Sequence, residues 1–271
     1  MDIKSKTDRV EKSIKINHMD MDYVVFGSGE ENLIIIPGLD DSLTPVWQTS
    51  KMLYRQLKNF TSSFRIYVFA RKKDLPPGFT TRDMADDLYQ ALESLGLTNY
   101  SLFGLSQGGM IAQYFAIDHS HALRKLIIAV SLSKPTDTSQ KTFERWHRMS
   151  VQGDYTKLIV DTVRKSCPSG KCSWFRKVTS FFGAFGRSKS LNQFIIQSEA
   201  CMNHHSHEEL HRIKTPTLII GGMKDEIVGH KAASEMAENI PDSVLKEYQY
   251  MGHDPLNHKE VIKDIYRFLN E

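Results

Sequence analysis

A chain of 271 residues with 40% hydrophobic and 25% charged side chains has an ordinary globular composition and can bury a large core without disulfides or a partner. Its formal charge of +3 is too small to argue for nucleic acid. The first twenty residues hold no continuous apolar stretch, and Cys167, Cys172 and Cys201 leave one thiol unpaired under any disulfide scheme, so a signal peptide or membrane span is not expected and a cytoplasmic location is.

In chain order, Ile14 and Ile16 alternating with lysines and the β-rich Tyr23-Val24-Val25-Phe26 predict two short strands, with Gly27-Ser28-Gly29 as the turn that closes them. Leu33-Ile34-Ile35-Ile36 is an unbroken apolar run, which predicts a strand buried on both faces of a mostly parallel sheet, and it stops at Pro37-Gly38. Ile66 to Phe69, Tyr100 to Phe103, Leu126 to Val130 and Leu218 to Ile220 are runs of the same kind. Between them, Met84, Leu88, Ala91, Leu92 and Leu95 form one stripe of a helix over 82–95, with Thr81 as a cap and Gly96 as a stop. Beyond the last run, the sequence predicts a helix over 232–240, a strand around 244–250 and a final helix with Val261, Ile262, Ile265, Tyr266, Phe268 and Leu269 inward. Strands alternating with helices on this scale imply parallel crossover units and a three-layer α/β domain.

Residues 134–205 break the alternation. They contain no buried-strand run and carry twelve Lys or Arg against five Asp or Glu, a balance of +7 in a chain of +3. The expected organisation is an α/β core from 1–133 and 206–271, with 134–205 as a helical cap. The interspersed charges read as a solvated face rather than an anion-drawing patch. Trp146, Trp174, Phe143, Phe175, Phe181, Phe182, Phe185 and Phe194 give the cap aromatic surface enough to wall an apolar pocket.

Chemistry concentrates at Gly104-Leu105-Ser106-Gln107-Gly108-Gly109, where a strand runs into a helix. A serine that attacks a carbonyl must project from a sharp strand-to-helix turn, and that turn leaves no room for side chains two residues to either side. A helix amino terminus beside the serine supplies free N–H groups where an oxyanion would form. Serine needs a general base, and the base needs an acid to orient it. In the chain order serine, acid, histidine, the base is His253, behind Gly252 and after the last strand, with His258 as its competitor. The acid is Asp225 or Glu226, which spacing alone does not separate; Asp137 is more remote. One oxyanion donor is the backbone N–H of Gln107, and the other belongs to the loop after Ile36, at Leu39.

With these residues in place, the chain resembles the α/β-hydrolase superfamily, in particular capped serine hydrolases of the esterase-like and lactonase-like kind. The resemblance covers nearly the whole sequence. It implies an α/β-hydrolase fold, with Ser106, Asp225 and His253 at the positions of nucleophile, acid and base. Pro37 departs from the commonest pattern, in which histidine precedes the glycine. Serine at the nucleophile position sets the chain apart from the dehalogenase branch, which uses aspartate.

Two features point elsewhere. His207-Glu208-Glu209-Leu210-His211 satisfies His-Glu-x-x-His, with Cys201, His204 and His205 upstream, and would suit a zinc metalloprotease if it lay on a long helix; the segment is short and ends near Pro216. Cys167 and Cys172 with His147 are a weak metal or redox pattern, and packing cysteines are the plainer reading. The expectation is therefore a serine hydrolase of a small or medium carboxylic ester with an apolar moiety, working through an acyl-enzyme, with no cofactor, no metal and no nucleic-acid or membrane partner. A ligand-binding protein with little turnover is the alternative.

Overall fold

The computed structural model describes residues 9–166 and 191–271; Cys167, Cys172, Trp174, Phe175, Phe181, Phe182 and Phe185 lie outside the described residues. The strands are β1 (Val10–Ile16), β2 (Met19–Phe26), β3 (Glu31–Ile36), β4 (Phe64–Lys72), β5 (Tyr100–Leu105), β6 (Leu123–Ala129), β7 (Thr217–Gly222) and β8 (Ser243–Tyr248). They form a single sheet in the order β1-β2-β4-β3-β5-β6-β7-β8. The β1/β2 and β2/β4 pairs are antiparallel, and every pairing from β4 through β8 is parallel. The two antiparallel strands come first in the chain, so β1 and β8 are the sheet's edges.

The helices are α1 (Val46–Gln56), α2 (Thr81–Ser94), α3 (Gln107–Asp118), α4 (Asp137–Val151), α5 (Tyr155–Ser166), α6 (Asn192–Met202), α7 (Ala232–Ala237) and α8 (Lys259–Asn270). Side chains alternate across a strand, so an unbroken apolar run fills two cores. Ile34, Ile36, Leu102, Ile128 and Ile219 pack on one face with α2, α3 and α7. Leu33, Ile35, Phe103, Ile127, Leu218 and Ile220 pack on the other with α1 and α8. Each such side chain contributes roughly 1.5–3 kcal/mol by burial, which makes the three-layer sandwich the dominant stabilising feature.

Two local expectations are corrected. The turn closing the first hairpin is Asn17-His18, with φ of 49° and 69°, as a two-residue mirror-image turn between twisted strands requires; Gly27-Ser28-Gly29 instead carries the chain from β2 into β3. The cap of α2 is Thr80, which forms a reciprocal capping box with Asp83. Thr81 is the first helical residue, and its hydroxyl meets His204 Nδ1 at 2.8 Å.

Between β6 and β7 the regular elements among the described residues are all helices. Phe143, Trp146, Leu158 and Phe194 from α4, α5 and α6 form a third cluster with Leu39, Leu43 and Met110 of the core. Several of the segment's charges are paired: Asp161 takes Arg145 at 3.1 Å, Arg164 at 2.9 Å and the Trp146 Nε1 proton at 3.0 Å. Among the described residues no helix is long and apolar enough to cross a membrane.

His204 is 1% exposed beneath this segment. Ser206 donates its one hydroxyl proton to Gln113 Oε1 at 2.7 Å, so His204 Nε2 must donate to Ser206 at 3.1 Å, and Nδ1 accepts from Thr81. A second ring proton, on Nδ1, would oblige the Thr81 hydroxyl to turn and give up its donor role there, and burial pushes the His204 pKa down from 6.5 to about 3. The unfolded chain therefore takes up this proton first as pH falls. The penalty grows below pH 6.5 at about 1.4 kcal/mol per pH unit and levels off near 3. His204→Gln, which can neither gain nor lose that proton, is expected to have a flatter stability profile between pH 6 and about 4 in urea unfolding; profiles of equal slope would contradict this account.

Candidate active site

Ser106 stands between β5 and α3 with φ 54° and ψ −117°, a conformation that costs about 1–3 kcal/mol for a non-glycine residue. Its surroundings over-determine it. The Ser106 N–H donates to Ala129 O at 2.9 Å, and its carbonyl accepts from Ser131 Oγ at 2.8 Å. A Cβ on Gly104 would lie 2.4 Å from Gly108 O, and one on Gly108 would lie 2.0 Å from Ile36 O. The elbow thus brings α3, β5 and the end of β3 into contact that only hydrogen atoms at 104 and 108 allow. Val130, at the end of the neighbouring strand, also has positive φ, 48°, so backbone strain gathers where the strands end.

Asp225 follows β7. Its Oδ1 accepts the N–H groups of Ile227 at 2.8 Å and Val228 at 3.0 Å, and its Oδ2 lies 2.7 Å from His253 Nδ1. Both side chains are nearly inaccessible, 1% and 8% exposed. A carboxylate only accepts, so in the neutral ring Nδ1 carries the proton and Nε2 is the accepting nitrogen, an assignment inferred from the partner. Glu226 is exposed and meets Lys165 only through its backbone carbonyl, at 3.0 Å. Contact with His253 therefore separates two residues that spacing leaves equal. His258 caps α8 and lies 3.2 Å from Asp254 Oδ1, while Asp137 is exposed at the start of α4.

Ser106, His253 and Leu39 line one cavity of about 890 Å³. Trp47 and Met52 of α1, Trp146 of α4 and Thr162 of α5 are among the described residues that line it. The loop after β3 presses on the serine: a Cβ on Gly38 would be 3.2 Å from Ser106 Cβ. Leu39 opens a 3-10 turn there, Leu39–Ser42, and Gln107 is the first residue of α3, where a helix leaves its amides unbonded within itself. The Gln107 side chain points away from the cavity. Its Nε2 donates to Gln197 O at 3.0 Å and Cys201 Sγ at 3.3 Å, and its Oε1 accepts from Arg71 Nη2 at 2.9 Å. Asp40 lines the same cavity with its side chain exposed.

Arg71 is the participant that the sequence conceals. It looks like the start of a surface run, Arg71-Lys72-Lys73, yet it is 6% exposed and Lys72 is 8%. The available signal was position, since a charge in the last residues of a buried parallel strand lies at the carboxyl end, where such sheets carry their sites.

The zinc-like motif has other employment. His207–Arg212 is a 3-10 helix, whose three-residue period sets positions four apart on different faces. His207 meets Ser133 Oγ at 3.1 Å and Lys134 Nζ at 3.2 Å, and Glu209 binds Arg82 at 2.9 Å. His147 Nδ1 lies 3.3 Å from Ser198 Oγ.

Residues 31–159 match the family model described as alpha/beta hydrolase fold. The chain is 29% identical over 181 residues to the AB hydrolase superfamily protein YisY of Bacillus subtilis, covering 65% of this chain and 68% of that one. It superposes on MGS-M2, an alpha/beta hydrolase enzyme from a deep-sea metagenome library, with a TM-score of 0.83 at 17% identity, covering 96% and 98% of the two chains. The enol-lactonase from Burkholderia xenovorans superposes with a TM-score of 0.81 at 15% identity, covering 96% and 100%.

The two kinds of glycine in this chain separate packing from backbone conformation. Gly96 has φ 63° with no atom near a Cβ, whereas Gly108 would drive its Cβ into a buried carbonyl. Gly96→Ala is expected to cost about 1 kcal/mol in denaturant unfolding, and Gly108→Ala about 3 kcal/mol or more. Equal losses would show that the close approach at the elbow is not what positions α3.

Proposed function

We propose serine hydrolysis of a small or medium carboxylic ester through an acyl-enzyme, a reading supported by the match of residues 31–159 to the alpha/beta hydrolase fold model. One observation carries the reading: Ser106, on a strained strand-to-helix turn, opens onto the same cavity as a histidine whose far nitrogen is held 2.7 Å from a buried aspartate. His253 Nε2 takes the Ser106 proton as Oγ attacks the carbonyl. Asp225 keeps the ring oriented and balances the imidazolium that forms. The Leu39 and Gln107 N–H groups hold the oxyanion, so the charge develops against donors already in position. Proton return from His253 releases the alcohol, and the same histidine then activates the water that frees the acid.

The substrate's apolar moiety follows from the walls, where Leu39, Leu105, Val130, Trp146, Ile227 and Leu256 face the space. About 890 Å³ suits a ligand of small to medium size. In this reading the described part of residues 134–205 acts as a cap, since Trp146, Thr162 and Val163 line the same cavity as Ser106.

Chromogenic esters of increasing acyl length should give measurable turnover with the wild type, and a fluorophosphonate probe should label Ser106. Ser106→Ala is expected to lose labelling and roughly 10⁵–10⁶ in kcat, and Asp225→Asn roughly 10⁴. Near-native hydrolysis by Ser106→Ala would overturn the assignment. Labelling of the wild type without turnover of any ester would favour a ligand-binding protein instead.

A further inference from the structure

The β3/β4 ladder pairs Ile35 with Val68, so three residues further on Arg71 comes level with Gly38 in the loop that leads to Leu39. Its guanidinium reaches across the strand end. Nη2 donates to Pro37 O at 2.5 Å and Gly38 O at 3.4 Å, and the same nitrogen donates to Gln107 Oε1 at 2.9 Å. On the far side of Leu39, the Asp41 carboxylate accepts the Arg71 backbone N–H at 2.8 Å and lies 3.9 Å from Nη1. The guanidinium forgoes a close ion pair with Asp41 and gives its best geometry to the loop and to Gln107.

Peptide planarity turns these contacts into a statement about donors. Gly38 C=O and Leu39 N–H belong to one trans peptide and point in opposite directions. Holding the carbonyl toward Arg71, with the Asp41 N–H also on it at 3.2 Å, directs the Leu39 N–H to the other side. Gln107, whose own backbone N–H is the second donor, is anchored by its side chain to the same nitrogen. Resting on the serine-hydrolase reading above, we propose that Arg71 is a positioning residue for the oxyanion hole, one buried guanidinium that fixes both donors relative to each other. Arginine suits the task because its planar, permanently charged head holds the shared nitrogen Nη2 at a fixed angle between loop and helix, which a lysine ammonium on a flexible stem would hold poorly.

The test compares wild type, Arg71→Lys, Arg71→Met and Gln107→Met, which keeps the backbone N–H but cuts the link to the guanidinium. Each is assayed with a short-chain chromogenic ester, for inhibition by an aryl trifluoromethyl ketone, whose serine adduct places an oxyanion in the hole, and for thermal unfolding by circular dichroism. Loss of one such donor typically costs 10²–10³ in kcat, so Arg71→Met is expected to lose roughly that factor and Arg71→Lys about tenfold, with KM within about threefold of wild type. The ketone's inhibition constant should rise in proportion to the fall in kcat. A packing role would lower the unfolding temperature without that proportionality. Unchanged kcat, a raised KM alone, or a kcat loss with ketone affinity intact would overturn the proposal. If Arg71→Met is insoluble, Arg71→Lys and Gln107→Met are read by the same criteria. Ser106→Ala, run alongside, separates the two readings: turnover that survives it sinks the hydrolase mechanism, whereas turnover abolished by it and normal in the Arg71 variants sinks only the positioning role.

Discussion

The constraint on which the site depends is a distance between two backbones. The Cα of residue 108 sits so near the end of β3 that a Cβ there would be 2.0 Å from Ile36 O. That proximity brings the amino terminus of α3 beside the loop carrying Leu39, and it forces the chain between β5 and α3 through a turn that only a positive φ can make. A serine held in such a turn has little choice about where its hydroxyl points. The apolar sandwich on both faces of the sheet supplies the free energy that holds the strained turn shut.

Around the turn lies a layer of buried polar groups that the sandwich alone would not tolerate. Burial drives the Asp41 carboxyl up to about 6 even with Arg71 beside it, and it pushes the Cys201 thiol up to about 12 although Gln107 donates to it. A buried ion pair this open adds little net stability, because desolvation offsets the Coulombic gain. Its value lies in direction: Arg71, Asp41, Gln107 and Gln197 O form a chain of bonds from β4 across the loop and α3 to α6. α6 and the helix that follows Ser106 are therefore mechanically connected.

Much of this was legible in the sequence because it rests on composition at short range. Four-residue apolar runs cannot be solvated, so the parallel strands announced themselves. Glycines at 104 and 108 flanking a serine carry a steric meaning whatever surrounds them. Ser106, Asp225 and His253 follow one another in the order that a serine nucleophile, its acid and its base would take, and the contact between the last two follows from their places after β7 and β8. What stayed hidden depends on tertiary context. Asp225 and Glu226 differ only in which way a turn after β7 faces. Arg71 and Lys72 look solvated until the sheet is assembled, when neighbouring layers enclose them beside Asp41 and Asp87. The hairpin turn was missed because Asn17-His18 lacks glycine, although asparagine enters the left-handed region more readily than most residues.

The order of strands also governs how copies of this chain meet. Among the described residues the sheet's rims belong to β1 and β8, and neither offers a clean apolar template to another chain. Glu11, Lys12 and Lys15 stud β1, and Lys246 and Glu247 stand on β8 with much of that strand open to water. A strand arriving edge-on would have to bury those charges to extend the ladder, which disfavours sheet-to-sheet polymerisation in concentrated solution.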